Sequence, residues 1–449
     1  MTKSWVSPTQ RQYPLLYWTT LAYIVGIPNF VRFDQTGRVL NPINLTSISL
    51  VVQTLITGYL LVVLLMLDRR PMEARKIRFD SGLWIALLLV LTLATVLEPA
   101  SRLTPPTNMD LLLSMFRLGQ WVIAFVLIVA LYSRTAPARA TELVVELIGR
   151  ASWIWVAMVW IFLPIMPAQV YGVSDEDGPG AVGRLGGQLL HPSRLALLGS
   201  VAFFYALFFF SKGPRKWIGC LTALLTIILT GARTEQAGFL LALLLYAIVF
   251  SRRIAFKWGI IGATTLALLT GVSFSGRVME YVSRGDDART LASLNGRTQV
   301  WEASLDAIRV RPGLGYGYSV GARNAIRDHW RAAHWVAPHA HNEFIQAALD
   351  GGVAALVLVV CIYGHIFWIA VREIGRGTHQ LFLFIVFLQF GVSVLTGVEL
   401  THSYSVAGGV LILCCVGVLG GAAENIEGYR VVRRTAGSAL NSSLQRSSF

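Results

Sequence analysis

The feature that most limits what this chain can fold into is a recurrence of apolar runs close to the roughly 20 residues that a membrane-crossing helix needs. LTSISLVVQTLITGYLLVVLLML from Leu45 and AGFLLALLLYAIVF from Ala237 are two of them. Reading apolar runs between polar breaks gives about twelve spans, near residues 14–31, 46–67, 83–99, 111–133, 142–166, 191–210, 217–231, 237–251, 258–273, 352–371, 380–398 and 403–421. Of the 449 residues 55% are hydrophobic and 14% charged, and the mean hydropathy is +0.59, a balance that excludes one soluble core. The expected fold class is an all-α polytopic membrane protein with one long, partly helical outer loop. Cys220, Cys361, Cys414 and Cys415 fall inside apolar runs, where they read as small hydrophobes rather than as a disulfide framework or metal site.

The net charge of +14 is carried in loops between spans, which argues against a nucleic-acid partner and turns attention to orientation. With the N-terminus inside, the inner segments hold 21 basic residues, and the short outer loops hold only Arg32, Arg38, Arg102, Arg184 and Arg233. The positive-inside rule selects that orientation and makes both termini cytoplasmic. The start MTKSWVSPTQRQY lacks the compact apolar run and cleavage site of a secretory signal, so the first span is expected to be retained. The expected organisation is nine spans over 1–273, an outer loop over 274–351, three spans over 352–421, and a disordered inner tail over 422–449. All five lysines are assigned inside, and every basic residue assigned outside is arginine. Arginine's planar fork suits phosphate oxygens; a genome preferring arginine codons produces the same pattern, so both explanations stand.

Most reactive side chains lie in the outer loop. In APHAHNEFIQAALDGG, His339, His341 and Asn342 open a segment that reads as a helix running into the next span. A histidine there can take a proton from a hydroxyl near neutral pH, with Asn342 and Glu343 to orient it. The bland alternative is a helix cap with a histidine stacked on Trp335. His339 and His341 lack an evident third ligand for a metal. In SLNGRTQVWEASLDAIRVRPGLGYGYS, Arg297 opens a helix and is a reasonable anion seat, and Gly313, Gly315 and Gly317 allow a tight turn. In LTGARTEQAGF, Arg233 sits at the membrane edge, where it either snorkels to headgroups or holds a lipid phosphate. Arg194, in HPSR, is similar in kind; Arg117 and Arg150 fall within spans. Arg323 and Arg327 carry no motif and read as ordinary loop arginines. The run from Asp175 to Asp177 reads as solvated or as a divalent-ion site.

These pieces suggest arginines holding a lipid-linked phosphate or pyrophosphate at an outer membrane face, with a histidine activating a hydroxyl beside them. From Thr230 to Leu356 the chain resembles the shared domain of the bacterial O-antigen ligase and O-antigen or exopolysaccharide polymerase superfamily, through TGART, GRTQVW, PGLGYG and HAHNEF. The ligase pattern is met by His341, Asn342 and Gly352 and broken at Ala355. The resemblance implies an inverting glycosyltransferase of the bacterial inner membrane with a periplasmic site. Its donor is an undecaprenyl-pyrophosphate-linked glycan, its acceptor a glycan or lipid A-core, and a chain-length regulator is a possible partner. No cofactor and no metal are implied. Residue by residue, it implies His341 as general base and Arg233 and Arg297 as pyrophosphate ligands; Asn342, His339, Arg194 and Arg289 are supporting candidates. Asp286 and Asp287 before SLNGRTQVW lean the resemblance toward polymerases. From another class, a transporter of lipid-linked solutes is the alternative, though related halves are not evident.

Overall fold

The computed structural model describes residues 14–26, 81–97, 108–134, 137–172, 183–187, 189–250, 297–331, 339–401 and 405–420, with positions 55, 58, 59, 62, 259 and 337. Most of the expected spans 46–67 and 258–273, Arg289, Asp286, Asp287, Trp335, the acidic run at 175–177 and the expected tail 422–449 lie outside these residues. Elsewhere helices occupy the expected positions. In chain order they are α1 (Pro14–Val25), α2 (Ser81–Leu97), α3 (Asn108–Arg134), α4 (Pro137–Phe162), the short α5 (Pro167–Val170), α6 (Pro192–Phe209), α7 (Pro214–Leu229) and α8 (Arg233–Leu245), which ends in a π-helical turn at Tyr246–Phe250. After them come α9 (Arg297–Val310), α10 (Val320–Asp328), α11 (Glu343–Glu373) and α12 (Thr378–Ser393), and finally α13 (Val406–Gly420). A two-stranded antiparallel hairpin, β1 (Tyr171–Gly172) with β2 (Arg184–Leu185), pairs Tyr171 with Leu185 and Gly172 with Arg184.

Among the described residues, five helical segments are long and apolar enough to cross a membrane: Asp110–Leu131, Ala140–Phe162, Pro192–Phe209, Arg233–Phe250 and Glu343–Arg376. Gly82–Leu97, Thr378–Ser393 and Val406–Gly420 are shorter apolar helices. Along α11, Val353, Val357, Val360, Phe367 and Trp368 are exposed while Ala355, Val359, Ile362, Ile366 and Ala370 are buried against the bundle. An outward stripe of that kind suits hydrocarbon, and the chain is a polytopic helical membrane protein. α6 packs between α4 and α7, α8 against α12, and α11 against α2.

The segment between α8 and α11 has its own small core, in which Ala303 and Ala307 of α9, Tyr316, Ala322, Ala325 and Ile326 of α10, Ala340 and Leu349 come together. The amphipathic stretch TQVWEASLDAIRV is helical for a physical reason: Val300, Ala303, Ser304 and Ala307 recur at helical spacing and are buried. Arg323, read from the sequence as an ordinary loop arginine, is buried here at 8% exposure, next to Ala325 at 2%.

Helix α11 is two pieces. It begins at Glu343, ahead of the span expected from 352, and breaks at Gly351 (φ −138°, ψ 21°) and Gly352 (φ 68°, ψ −164°). The PGLGYG loop wraps this break. Val353 N–H donates to Pro312 O at 2.8 Å, Tyr316 N–H to Leu349 O at 2.7 Å, and Gly317 N–H to Asp350 O at 3.0 Å. Backbone groups near the kink thereby find partners in the loop, which an apolar interior demands. Contact is so close that a Cβ on Gly352 would lie 1.9 Å from Gly313 O, and one on Gly315 2.4 Å from Leu349 O. Only glycine fits at either place.

Candidate functional site

The TGART segment is a helix–turn–helix corner. Gly231, at φ 58°, ends α7, Thr230 bonds its own turn through Ile227 O at 2.7 Å, and Gln236 Nε2 donates to Ile227 O at 3.1 Å, so α7's terminal carbonyls are satisfied. Arg233 follows as the first residue of α8. Arg297 is likewise the first residue of α9. Each arginine therefore stands where a helix presents free N–H groups and the positive end of its dipole, a setting that favours anions.

The fold brings these two starts together. Arg297 lies within electrostatic reach of Arg233, of Arg184 on β2 and of Glu235 in the first turn of α8. Burial holds the Arg297 pKa below the usual arginine range; Glu235 opposes that shift, and Arg233 and Arg184 add to it. Arg297 thus has two further arginines and one buried carboxyl group within electrostatic reach, a net positive surrounding whose repulsion an anion relieves. Arg184 was legible in the sequence only as one outer basic residue; the hairpin delivers it.

Glu235 connects the arginine cluster to the next layer. Ser393, at the end of α12, donates to Glu235 Oε1 at 3.4 Å. Glu399 is near Glu235 and pairs with Arg194 at 3.8 Å. The segment 394–401 that carries Glu399 is gripped at both ends by the start of α11. Glu343 N–H donates to Val394 O at 2.9 Å and Asn342 Nδ2 to Leu395 O at 3.1 Å. The fully buried Glu343 carboxylate accepts from Glu399 N (2.7 Å), Leu400 N (3.0 Å), Thr401 N (2.8 Å) and Thr401 Oγ1 (2.6 Å). Hydrogen bonds of this kind offset part of the cost of burying one carboxyl group.

Asn342 caps α11, its Oδ1 accepting from Phe344 N at 3.0 Å and Ile345 N at 3.1 Å. His341, immediately before the cap, is held at φ 48°, a left-handed conformation that costs a non-glycine residue about 1–3 kcal/mol. His339 lies in the preceding loop, 4% exposed. The two imidazoles are in contact, with centroids 4.1 Å apart and planes at 56°, and His341 N–H donates to His339 Nδ1 at 3.1 Å. Ala340 between them is fixed twice: its N–H reaches Gln346 Oε1 at 2.9 Å, and its carbonyl accepts from Trp301 Nε1 at 3.0 Å. Gln346 continues to Asp350 Oδ1 at 3.0 Å, and that oxygen also accepts from Ser319 N at 3.0 Å.

The four sequence motifs thus interlock. GRTQVW supplies Arg297 to the arginine cluster and Trp301 to the histidine loop, PGLGYG seats the α11 kink, and HAHNEF holds His341 beside the 394–401 segment. Arg233, Arg297 and Arg194 belong to one connected polar region with Asn342, while Arg289 lies outside the described residues. Glu235, Gln346, Asp350 and Glu399 went unnoticed in the sequence, and Glu343 was read only as an orienting neighbour of His341. A signal was present for three of them: Glu343, Gln346 and Asp350 follow one another at i, i+3 and i+7, a polar stripe on one helical face directly before an apolar span. Arg117 is buried in α3 and donates to Gln120 Oε1 at 3.1 Å. Arg150 pairs with Glu146 at 2.6 Å within α4.

Residues 218–360 match the protein-family model described as O-antigen ligase. The match takes in Arg233, Arg297, His341 and the glycine loop. No curated protein is similar enough to the chain to match it.

Proposed function

We propose, from the match of residues 218–360 to the O-antigen ligase family model, that this membrane protein is a metal-independent inverting glycosyltransferase of surface polysaccharide assembly. It passes a glycan from undecaprenyl pyrophosphate to a sugar hydroxyl at the periplasmic face of the inner membrane. The observation that supports the reading is that Arg233 and Arg297, each half-buried and each opening a helix, lie within electrostatic reach of one another. A pyrophosphate is the anion such a paired seat suits.

In this reaction His341 takes the proton of the acceptor hydroxyl, and the oxygen forms its bond to the anomeric carbon from the face opposite the leaving group. The bond from that carbon to the pyrophosphate oxygen breaks, and its electron pair leaves with the pyrophosphate. Arg233, Arg297 and Arg184 neutralise the charge that grows there, the electrostatic contribution that usually dominates such catalysis. Fixed arginines then serve where other transferases use a divalent cation.

Polymerisation, with the sugar of another lipid-linked repeat unit as acceptor, is the favoured subfunction. Its support is the Asp286–Asp287 context of GRTQVW and the alanine at 355 where the ligase pattern has glycine, threonine or tyrosine. Attachment to lipid A-core is the second reading, favoured by the description of the matching family. Deleting the gene separates them. Single repeat units remaining on lipid A-core indicate a polymerase; bare core with accumulated lipid-linked glycan indicates a ligase.

The direct test uses the purified full-length protein in liposomes with lipid-linked glycan extracted from the source strain and excess chelator. Glycosidic bonds form if the reading holds. Substrate that merely equilibrates across the bilayer indicates a transporter, and activity abolished by chelator and restored by magnesium or manganese overturns metal independence.

A further inference from the structure

The family pattern singles out the histidine directly before Asn342 and leaves His339 a lesser place. The geometry points to a defined role for it: we propose that His339 is a positioning residue whose Nδ1 closes a side-chain turn onto the His341 N–H and so holds the base in its left-handed conformation. This rests on His341 being the base of the transfer proposed above.

The His341 N–H is a donor under all conditions, so the nitrogen that receives it, His339 Nδ1, must carry a lone pair. The tautomer that fits this arrangement carries its ring proton on Nε2. An acceptor two residues before the N–H it receives is the geometry of an Asx turn. Asn342 Oδ1 repeats it one step later on Phe344 N at 3.0 Å. Two consecutive side-chain turns thus lead the chain from the loop into α11, and His341 is the strained residue between them, at φ 48°. The rest of the surroundings are built to hold that path. His339 is buried, Ala340 is bonded through both its N–H and its carbonyl, and the rings of His339 and His341 touch at 4.1 Å between centroids. His341 itself is half-buried. The division of labour is that 339 shapes the turn and 341 does the proton transfer.

The test asks which nitrogen of His339 matters. Asparagine places its Oδ1 where Nδ1 stands, whereas glutamine places its acceptor near Nε2, too far out to close the turn. Full-length wild type, His339→Asn and His339→Gln are compared at matched membrane levels by two readouts. One is transfer with lipid-linked repeat unit extracted from the source strain. The other is acylation of His341 by diethyl pyrocarbonate, followed by peptide mass spectrometry, which needs no substrate. His339→Asn should keep transfer within about threefold, while His339→Gln should lose about tenfold to a hundredfold in kcat with donor KM little changed, the scale of a misplaced catalytic group. The His341 acylation rate should match wild type in the first and depart from it in the second. Glutamine performing as well as asparagine, or asparagine losing as much as glutamine, overturns the proposal. His339→Ser, whose hydroxyl closes the same turn more weakly, is a second acceptor variant should His339→Gln fail to insert; loss in both acceptor variants again overturns it. A wild type that forms no glycosidic bond, with acylation still separating asparagine from glutamine, supports the turn and removes the transferase reading instead.

Discussion

The indole Nε1 of Trp301 donates to the carbonyl oxygen of Ala340 at 3.0 Å, across 39 residues of sequence. That bond ties the helix that begins with Arg297 to the loop that carries His341, so the proposed anion seat and the proposed base are braced against each other. Trp301→Phe keeps the ring and removes only the donor. One neutral hydrogen bond is worth about 0.5–1.5 kcal/mol, so the variant should remain folded. Its transfer rate should fall by about tenfold with unchanged donor binding, as the loop loosens around His341. Unaltered kinetics in purified Trp301→Phe would show that the brace is dispensable.

The two seat arginines should not tolerate lysine. Arg233→Lys and Arg297→Lys keep the charge and lose the planar fork, so transfer should drop by about a hundredfold at normal membrane levels. The controls follow from exposure: Arg309 and Arg331, with side chains 75% and 87% exposed, should accept lysine freely. Arg323 is unsuitable as a control because it is buried. Equal behaviour of all four variants would remove the phosphate roles.

His341→Ala should lose about a hundredfold to ten-thousandfold in transfer, the usual contribution of a positioned base, and His341→Gln nearly as much. Donor binding should persist in both, because the arginines are untouched. Binding of extracted lipid-linked glycan and turnover are to be measured on the same preparations. Near-normal turnover would exclude a base at 341, and lost binding would make it a substrate ligand.

Gly352→Ala should be among the most damaging small substitutions in the chain. Its Cβ would sit 1.9 Å from Gly313 O at a backbone φ of 68°. Strain and displacement of the PGLGYG loop should lower stability by about 2–4 kcal/mol. Gly364→Ala in the same helix, with nothing within 4 Å of the added methyl, is the comparison. Thermal unfolding of the two in detergent should differ clearly; matching transitions would mean the interlock is not what holds the kink.

Orientation is open to a labelling experiment. A cysteine at Arg309, on the exposed face of α9 in a cysteine-free background, should react with an impermeant thiol reagent from the periplasmic side. Reaction only after the inner membrane is opened would invert the topology.

The amino-acid sequence by itself determined where the helices run. Long apolar runs such as those of α3 and α11 have no other low-energy solution than a helix in hydrocarbon, because in lipid each backbone N–H and C=O must be satisfied within its own segment. It also placed two of the reactive residues at the starts of helices, Arg297 after Gly296 and Asn342 ahead of α11, whereas Arg233 read as a membrane-edge loop residue and is the first residue of α8. These are local matters, decided by neighbours within a few positions.

Tertiary structure alone decided which of them meet. Glu235 faces Arg297 across 62 positions, Glu343 grips the 399–401 backbone, and Gln346 with Trp301 pins Ala340. No periodicity encodes such pairings, since helix spacing specifies a face and not the distant element that packs on it. The same is true of burial outside the spans. Arg323 reads as an ordinary arginine of a polar loop, and it is enclosed because α10 packs between α9 and α11. Composition chooses between water and hydrocarbon for a segment; only packing chooses the neighbours of a side chain, and the chemistry of this site lies in those neighbours.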